Sequence, residues 1–358
     1  MAEWTHHYAR INGLDMHYVE QGTGPLVILA HGFPHSWFSW RHQIPVIAAA
    51  GFRAVAFDLR GMAGTTGPDD PAGYDVNHTV GDLIGLLDHL GEERAVFIGL
   101  DFGLFSIYDL AYHHPERMHA IIGLGNPAWP HDPARSPLTE AADMARQHFY
   151  HIHYFVDQPG VAEAALDAAP REFLKRVFYA LSGDFHYIDV WQHPPGTPYL
   201  EALPEAPPLP WPWLSELELE FFVEAYARRG FRGGLNWYRA MDLRWEQRRR
   251  FEGVPNPVPF YFLTSENDTD MEAFHGEDPL AQLPRQYSDL RRVEVLPRAG
   301  HMLQMERAPE VSAIIAQCLQ DLKTRGDIPE CPEWRRLRIS GPGQTQKKCR
   351  ARLLRARP

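Results

Sequence analysis

The chain of 358 residues is 44% hydrophobic and 12% aromatic, enough apolar material for a sizeable core and too much for a disordered chain. Its formal net charge of −11 argues against a nucleic-acid or anionic-membrane partner for the main body. Three late, sparse cysteines (Cys318, Cys331, Cys349) make neither a disulfide framework nor a paired zinc motif, and the 19 histidines are scattered rather than grouped as metal ligands. In chain order, HHYARING and LDMHYVEQG pattern as an antiparallel hairpin on a sheet edge. PLVILAHG is a continuous apolar run, as a strand covered on both faces requires. WRHQIPVIAAAG reads as a helix ended by Gly51, and FRAVAFDLRG as the next strand. VNHTVGDLIGLLDHLG carries Val80, Leu83, Ile84, Leu87 and Leu90 at helical spacing and stops at Gly91. ERAVFIGLD, FGLFSIYDLAYHHPERM and MHAIIGLGNP continue as strand, helix and strand. This alternation predicts a mostly parallel, doubly wound α/β sheet.

At about Pro127 the rhythm breaks. From 128 to 252 the chain turns aromatic, proline-rich and helical with no clear strand, and HPPGTPYLEALPEAPPLPWPWL is expected to be a long loop. Trp191, Trp211, Trp213, Phe221, Phe222 and Tyr226 read mainly as packing of this region, and Arg248 to Arg250 as a solvated face. The βα order resumes with VPFYFLTSEND, RRVEVLPRAGH and PEVSAIIAQCLQDL. The expected division is a core of 1–127 and 253–325, an inserted helical cap or lid over 128–252, and a basic, disordered tail over 326–358. The N-terminus has no apolar run after a basic start. No stretch reaches the roughly 18 to 20 apolar residues of a membrane span, so a cytoplasmic location is expected.

The chemistry centres on Gly99-Leu100-Asp101-Phe102-Gly103, between a predicted strand and helix. A residue on such a sharp turn sits in strained backbone space, and its neighbours two before and two after must be small. Asp101 would stand at the carboxyl end of the sheet beside a helix N-terminus, where negative charge is favoured. By itself this pentapeptide reads equally as an N-cap followed by a turn glycine. Three further signals single it out. Asp268 lies just past a later strand and His301 follows the last one, giving the order nucleophile, acid, histidine. His-Gly-Phe-Pro at 31–34 follows another strand, where a backbone N–H can serve an oxyanion hole.

With these pieces the chain resembles the epoxide hydrolases of the α/β-hydrolase fold, from about Trp4 to Lys323. HGFPHSWFSWRHQIP, the Asp101 turn, YFVDQPGVAEAAL, GFRGGLNWYRAMD and AGHMLQMERAPE carry the resemblance. It implies Asp101 as nucleophile, His301 as base, Asp268 as the carboxylate that orients it, and the Phe33 and Phe102 N–H groups as the oxyanion hole. It makes Tyr238 a donor to the epoxide oxygen and His151 the second donor. A one-residue length difference before Pro159 leaves Tyr150 and Tyr154 open for that second role. His31, Pro34, Trp37, Tyr150 and Tyr154 are expected against the substrate, an apolar small-molecule epoxide that reacts with water. No metal and no cofactor is implied, and a homodimer stays open. The family often flanks the nucleophile with His and Trp, where this chain has Leu100 and Phe102, and its loop after the Arg-Gly pair is altered here to RGMAGTTGP.

A carboxylate suits the expected reaction, because at neutral pH it is ionised without a base and can attack a strained carbon directly. The alternatives are a haloalkane or haloacid dehalogenase using the same Asp nucleophile, and a non-catalytic binding protein of the same fold, favoured by Leu100 and Phe102. A serine esterase is disfavoured because the turn carries Asp and Ser106 falls inside the helix.

Overall fold

The computed structural model describes residues 4–127, 134–273 and 278–328; the basic tail expected from 326 lies, from 329 onward, outside the described residues. Eight strands form one sheet: β1 (Thr5–Ile11), β2 (Leu14–Gly22), β3 (Leu26–Ala30), β4 (Arg53–Phe57), β5 (Ala95–Leu100), β6 (Met118–Leu124), β7 (Phe260–Ser265) and β8 (Leu290–Leu296). Their order is β1-β2-β4-β3-β5-β6-β7-β8. β1 and β2 pair antiparallel as the expected hairpin, Ile11 opposite Leu14, and β2 runs antiparallel to β4. Every other neighbouring pair is parallel. All residues of β3, β5 and β7 are buried. Side chains alternate between faces along a strand, so complete burial means that both faces are covered. Each buried Val, Leu, Ile or Phe contributes roughly 1.5–3 kcal/mol to that core.

The first helices are α1 (Gln43–Ala49), α2 (Val76–Leu90) and α3 (Asp101–His113). In α2 the Asp75 carboxylate accepts the His78 N–H at 2.9 Å, and Gly91 closes the helix at φ +76°. Val80, Leu83, Leu87 and Leu90 are buried as their spacing predicts, with Ile84 half-buried. Between β6 and β7 come α4 (Pro137–Ala145), α5 (His151–Asp157), α6 (Val161–Ala168), α7 (Pro170–Ala180), α8 (Tyr199–Ala202), α9 (Glu216–Ala227), α10 (Arg232–Arg239) and α11 (Met241–Arg248). The stretch expected to be one long loop therefore holds a short helix, α8, begun after Pro198, and a turn in which Trp211 and Leu214 bridge. After β7 follow α12 (Thr269–Ala273) and α13 (Pro279–Gln286), and after β8 α14 (Leu303–Glu306) and α15 (Ala308–Arg325). Among the described residues no helix is long and apolar enough to cross a membrane.

Specific contacts hold the helical insert against the sheet domain. Gly233 at the start of α10 lies so close to Gly61 that a Cβ there would fall 1.9 Å from the Gly61 carbonyl oxygen. From α10, Trp237 donates its indole N–H to the Arg60 carbonyl at 3.0 Å, and Asn236 donates to the Asp69 carbonyl at 3.0 Å. Arg244 of α11 reaches the buried carboxylate of Asp109 on α3 at 2.7 Å, and Arg248 binds the same carboxylate through two nitrogens. Arg248 is thus not part of a purely solvated face. A buried carboxylate needs counter-charge, and Arg248, the first of the three arginines, supplies it together with Arg244.

Candidate active site

The sheet order reverses at β3: the chain steps outward to β4, then returns on the other side as β5. Loops leaving β3 and β5 diverge there and open a crevice, the usual ligand position in a wound sheet. Phe33 follows β3 and Asp101 follows β5 at this point. Asp101 has φ +53°, a left-handed conformation that non-glycine residues rarely adopt. Glycines make room for the turn. A Cβ on Gly103 would stand 2.3 Å from the His31 carbonyl oxygen, and one on Gly32 would stand 2.0 Å from Asp101 Oδ1. The Asp101 N–H donates to Asn126 Oδ1 at 3.0 Å. The Phe33 N–H donates to Asp101 Oδ1 at 2.8 Å, and the Phe102 N–H also bonds the carboxylate. Burial raises the Asp101 carboxyl above its ordinary value; the His301 charge and the two N–H donors pull it back.

His301, between β8 and α14, points Nδ1 at Asp268 Oδ1, 3.1 Å away. Its own N–H is tied to the Leu181 carbonyl of the insert at 2.8 Å. Burial works against a charge on this ring, but Asp268, Asp270 and Asp101 outweigh it and push the imidazole up to about 10. Asp270 was not singled out from the sequence. Its Oδ2 lies 3.9 Å from His301 Nδ1, and burial together with the Asp268 and Asp101 charges pushes its carboxyl up to about 7, against the His301 charge. FLTSENDTD carries three acids at two-residue spacing after the strand, Glu266, Asp268 and Asp270, and the last of them was the available signal. Asp101, Asp270 and His301 bring carboxylate and ring-nitrogen atoms within 4.8 Å of one another. With Nδ1 committed to Asp268 and Asp101 Oδ1 to the Phe33 N–H, this trio reads as ion pairing around an imidazolium.

Across from Asp101 stands the insert, and a cavity lies between them. Phe33, Pro34, Asp101, Phe102, His151, Tyr238 and His301 line it, as do Phe155, Phe173, Tyr187, Tyr199 and Asp270, which sequence reasoning missed. The Tyr238 ring packs edge-on against Phe102 at 4.8 Å and against Phe33 at 5.9 Å. Burial, reinforced by the Asp101 charge, holds its phenol well above the ordinary range. His151 opens α5, with its ring 6.3 Å from that of Tyr238. Burial pushes this imidazole down to about 3, so it is neutral. Trp191 donates its indole N–H to His151 Nδ1 at 3.3 Å. An indole nitrogen can only donate, so Nδ1 is the bare nitrogen and Nε2 carries the hydrogen. His151 is thereby a neutral donor through Nε2.

Four residues expected against a substrate lie elsewhere. The His31 ring is fully buried with both nitrogens engaged: Nδ1 donates to the Gly32 carbonyl at 2.7 Å and Nε2 accepts the Leu59 N–H at 3.0 Å. Trp37 is buried among Trp4, His6, Phe38 and Phe221. Tyr150 and Tyr154 do not line the cavity either; the Tyr150 ring packs on Trp191 at 5.0 Å, and Tyr154 packs on Phe149. Of the three residues open for the second donor, only His151 faces the cavity. Of the residues beside the nucleophile, Leu100 is packed in the core and Phe102 forms cavity wall.

A strained Asp on a strand-to-helix turn, an Asp–His pair on later strand ends and an eight-stranded sheet in this order define an α/β-hydrolase fold, and residues 25–148 match the model of that family. Over 319 residues the chain is 37% identical to epoxide hydrolase A of Mycobacterium tuberculosis, covering 88% of this chain and 97% of that protein. It is 34% identical to epoxide hydrolase 1 of Siraitia grosvenorii, covering 88% and 98%. The crystal structure of epoxide hydrolase A from Mycobacterium thermoresistibile superposes with a TM-score of 0.82 at 36% identity, covering 89% of this chain and 98% of that one. An epoxide hydrolase from an endophytic Streptomyces superposes with a TM-score of 0.85 at 32% identity, covering 90% and 97%. The chain belongs to the epoxide hydrolase family of the α/β-hydrolase fold.

Proposed function

We propose that this protein hydrolyses an apolar epoxide to a vicinal diol through an ester on Asp101, with residues 128–252 acting as the cap over the site. The observation that carries the reading is the opposition of the Asp101 carboxylate to two neutral donors, Tyr238 and His151, across one cavity. An epoxide needs both at once: attack at carbon and a hydrogen-bond donor at the oxygen that leaves as alkoxide. Asp101 attacks one ring carbon, the carbon–oxygen bond breaks, and a proton passes to the oxygen from a cap donor. The product of this step is a hydroxyalkyl ester. Once His301 has released its second proton to solvent, the neutral ring takes a proton from water, and the hydroxide equivalent adds to the ester carbonyl carbon of Asp101. Negative charge develops on the carbonyl oxygen beside the Phe33 and Phe102 N–H groups; losing one such donor costs about 100- to 1,000-fold. Collapse expels the diol and regenerates the carboxylate, and the proton on His301 replaces the one the cap donor gave up. Asp268 orients the imidazole and stabilises its charge.

The phenyl rings of Phe33, Phe102, Phe155 and Phe173 favour an apolar substrate, and no Lys or Arg is among the described lining residues. A halide would leave without a proton donor, so the paired cap donors favour the epoxide over a haloalkane. Cytoplasmic residence belongs to the same reading, supported by the free, buried thiol of Cys318. The test is a single turnover of styrene oxide in oxygen-18 water with excess enzyme. Label in the Asp101 peptide and an unlabelled diol are expected. Label in the diol with none in Asp101 would mean direct attack by water and would refute the ester route.

A further inference from the structure

One carboxylate of the cavity wall, Asp270, takes part in neither ester formation nor ester hydrolysis as proposed. Asp270 follows Asp268 by one intervening residue, in the first turn of α12. Its N–H donates to Asp268 Oδ1 at 3.0 Å, the same oxygen that faces His301 Nδ1. That hydrogen bond turns the Asp270 side chain back toward the imidazole. Its Oδ2 stops 3.9 Å from Nδ1, too far for a hydrogen bond and close for a charge. The Nδ1 hydrogen is committed to Asp268, and Asp270 lies beyond hydrogen-bond reach of that nitrogen, so Asp270 acts on it through its field.

The surroundings keep that field strong. From the β5–α3 turn comes the Asp101 carboxylate, from the end of β7 Asp268, and from the β8–α14 loop His301 itself. From the insert come Tyr150 and Tyr238, both uncharged and both within the electrostatic reach of Asp270. His35, from the loop after β3, is kept neutral by burial and by the His301 charge. On the outer side of α12, Glu272 pairs with His186 and leaves Asp270 alone. No arginine or lysine among the described residues lines the cavity to compensate. Three carboxylates therefore surround one imidazole.

We infer that Asp270 is a positioning residue for charge: it holds His301 as the imidazolium and so sets the pH at which the ester on Asp101 is hydrolysed. The inference rests on the ester mechanism proposed above. Ester formation consumes one of the three negative charges, since the Asp101 carboxylate becomes a neutral ester. Asp268 and Asp270 then remain to hold the proton on His301. The hydrolytic step needs the neutral ring, so it gains rate only as pH rises through the value these two charges impose. An opposite charge within about 4–6 Å shifts such a group by about 1–3 units. Loss of Asp270's charge lowers the pKa of His301 and moves the rising limb of hydrolysis to lower pH.

The experiment forms the ester by rapid mixing of excess styrene oxide with enzyme, jumps the pH across 5 to 10, and follows ester decay by quench and peptide mass spectrometry. The comparison is wild type, Asp270→Asn and Asp270→Glu. The expected result is a midpoint about 1–3 units lower in Asp270→Asn and a midpoint restored toward wild type in Asp270→Glu. Ester decay with an unmoved midpoint in Asp270→Asn would overturn the inference, as would Asp270→Glu behaving like Asp270→Asn. Ester that never forms on Asp101 in the wild type would overturn the proposed reaction first and this inference with it.

Discussion

Replacing Gly233 with alanine sets two physical effects against each other. Alanine for glycine within a helix ordinarily stabilises it by about 1 kcal/mol. Here the added Cβ would meet the Gly61 backbone, at 1.9 Å from the carbonyl oxygen and 2.5 Å from the carbonyl carbon. Neither atom can rotate away, and the Gly61 N–H is itself bonded to the Thr66 carbonyl at 3.1 Å. Reaching an ordinary 3.4 Å contact requires α10 to retreat by about 1.5 Å. Overpacking of this kind costs about 1–3 kcal/mol, which outweighs the helix gain. Tyr238 lies five residues further along the same short helix and moves with it. A misplacement of about 1 Å at a reacting group costs on the order of 100-fold. Gly233→Ala should therefore slow ester formation about 100-fold, while leaving the decay of ester once formed unchanged, because Asp101, Asp268 and His301 stand on loops of the sheet. Rapid quench with peptide mass spectrometry separates the two steps, and urea unfolding measures the stability loss. Ester formation at the wild-type rate in folded Gly233→Ala protein would refute the idea that this helix contact places the donor.

Other substitutions probe single links. His301→Gln should accumulate the ester without releasing diol, because only the second step needs a base; an unmodified Asp101 peptide after mixing with a substrate of the wild type would refute this. Tyr238→Phe should slow ester formation by about 100-fold, the low end of what a lost proton donor costs because His151 remains; an unchanged single-turnover rate removes Tyr238 from the chemistry. Asp109→Ala strands the buried guanidinium of Arg244 and should cost about 3–5 kcal/mol in equilibrium unfolding. A loss below about 1 kcal/mol would mean that Arg244 finds water or another partner.

What the sequence made legible was local. β3, β5 and β7 are short apolar runs bounded by turn residues, and a wound sheet brings their carboxyl ends together whatever the surface carries. Asp101, Asp268 and His301 each sit within a few residues of a strand end, so their convergence follows from the alternation alone. The residues that were missed or misplaced depend on contacts between distant segments. His31 precedes Phe33 by two in one loop, yet it turns inward because the Leu59 N–H and the Gly32 carbonyl consume both ring nitrogens. Tyr187 and Tyr199 face the cavity from a region with no usable periodicity, and they hold each other through their hydroxyls at 2.7 Å. Asp268 and Asp270 stand two apart in the chain, and only the fold of α12 decides that the second also faces the ring.

The protonation of the two proposed donors, Tyr238 and His151, follows mainly from one cause acting in opposite directions on two chemistries. Burial disfavours charge. It raises a phenol, so Tyr238 keeps its hydrogen, and it lowers an imidazole, so His151 loses its second one. Both outcomes give neutral groups that still donate, provided that the one hydrogen left on His151 faces the cavity. Trp191 decides which nitrogen keeps it: its indole N–H occupies Nδ1 and leaves the hydrogen on Nε2. The same apolar surroundings raise Asp101, which needs its charge to attack, and there the Phe33 and Phe102 N–H groups and the His301 imidazolium work against the burial. His151 is thus set by desolvation alone, Tyr238 by desolvation reinforced by the Asp101 charge, and Asp101 by desolvation opposed by fixed dipoles and charge. A change of cap packing should therefore act mainly on proton donation, and a change of charge around His301 mainly on the nucleophile and the base.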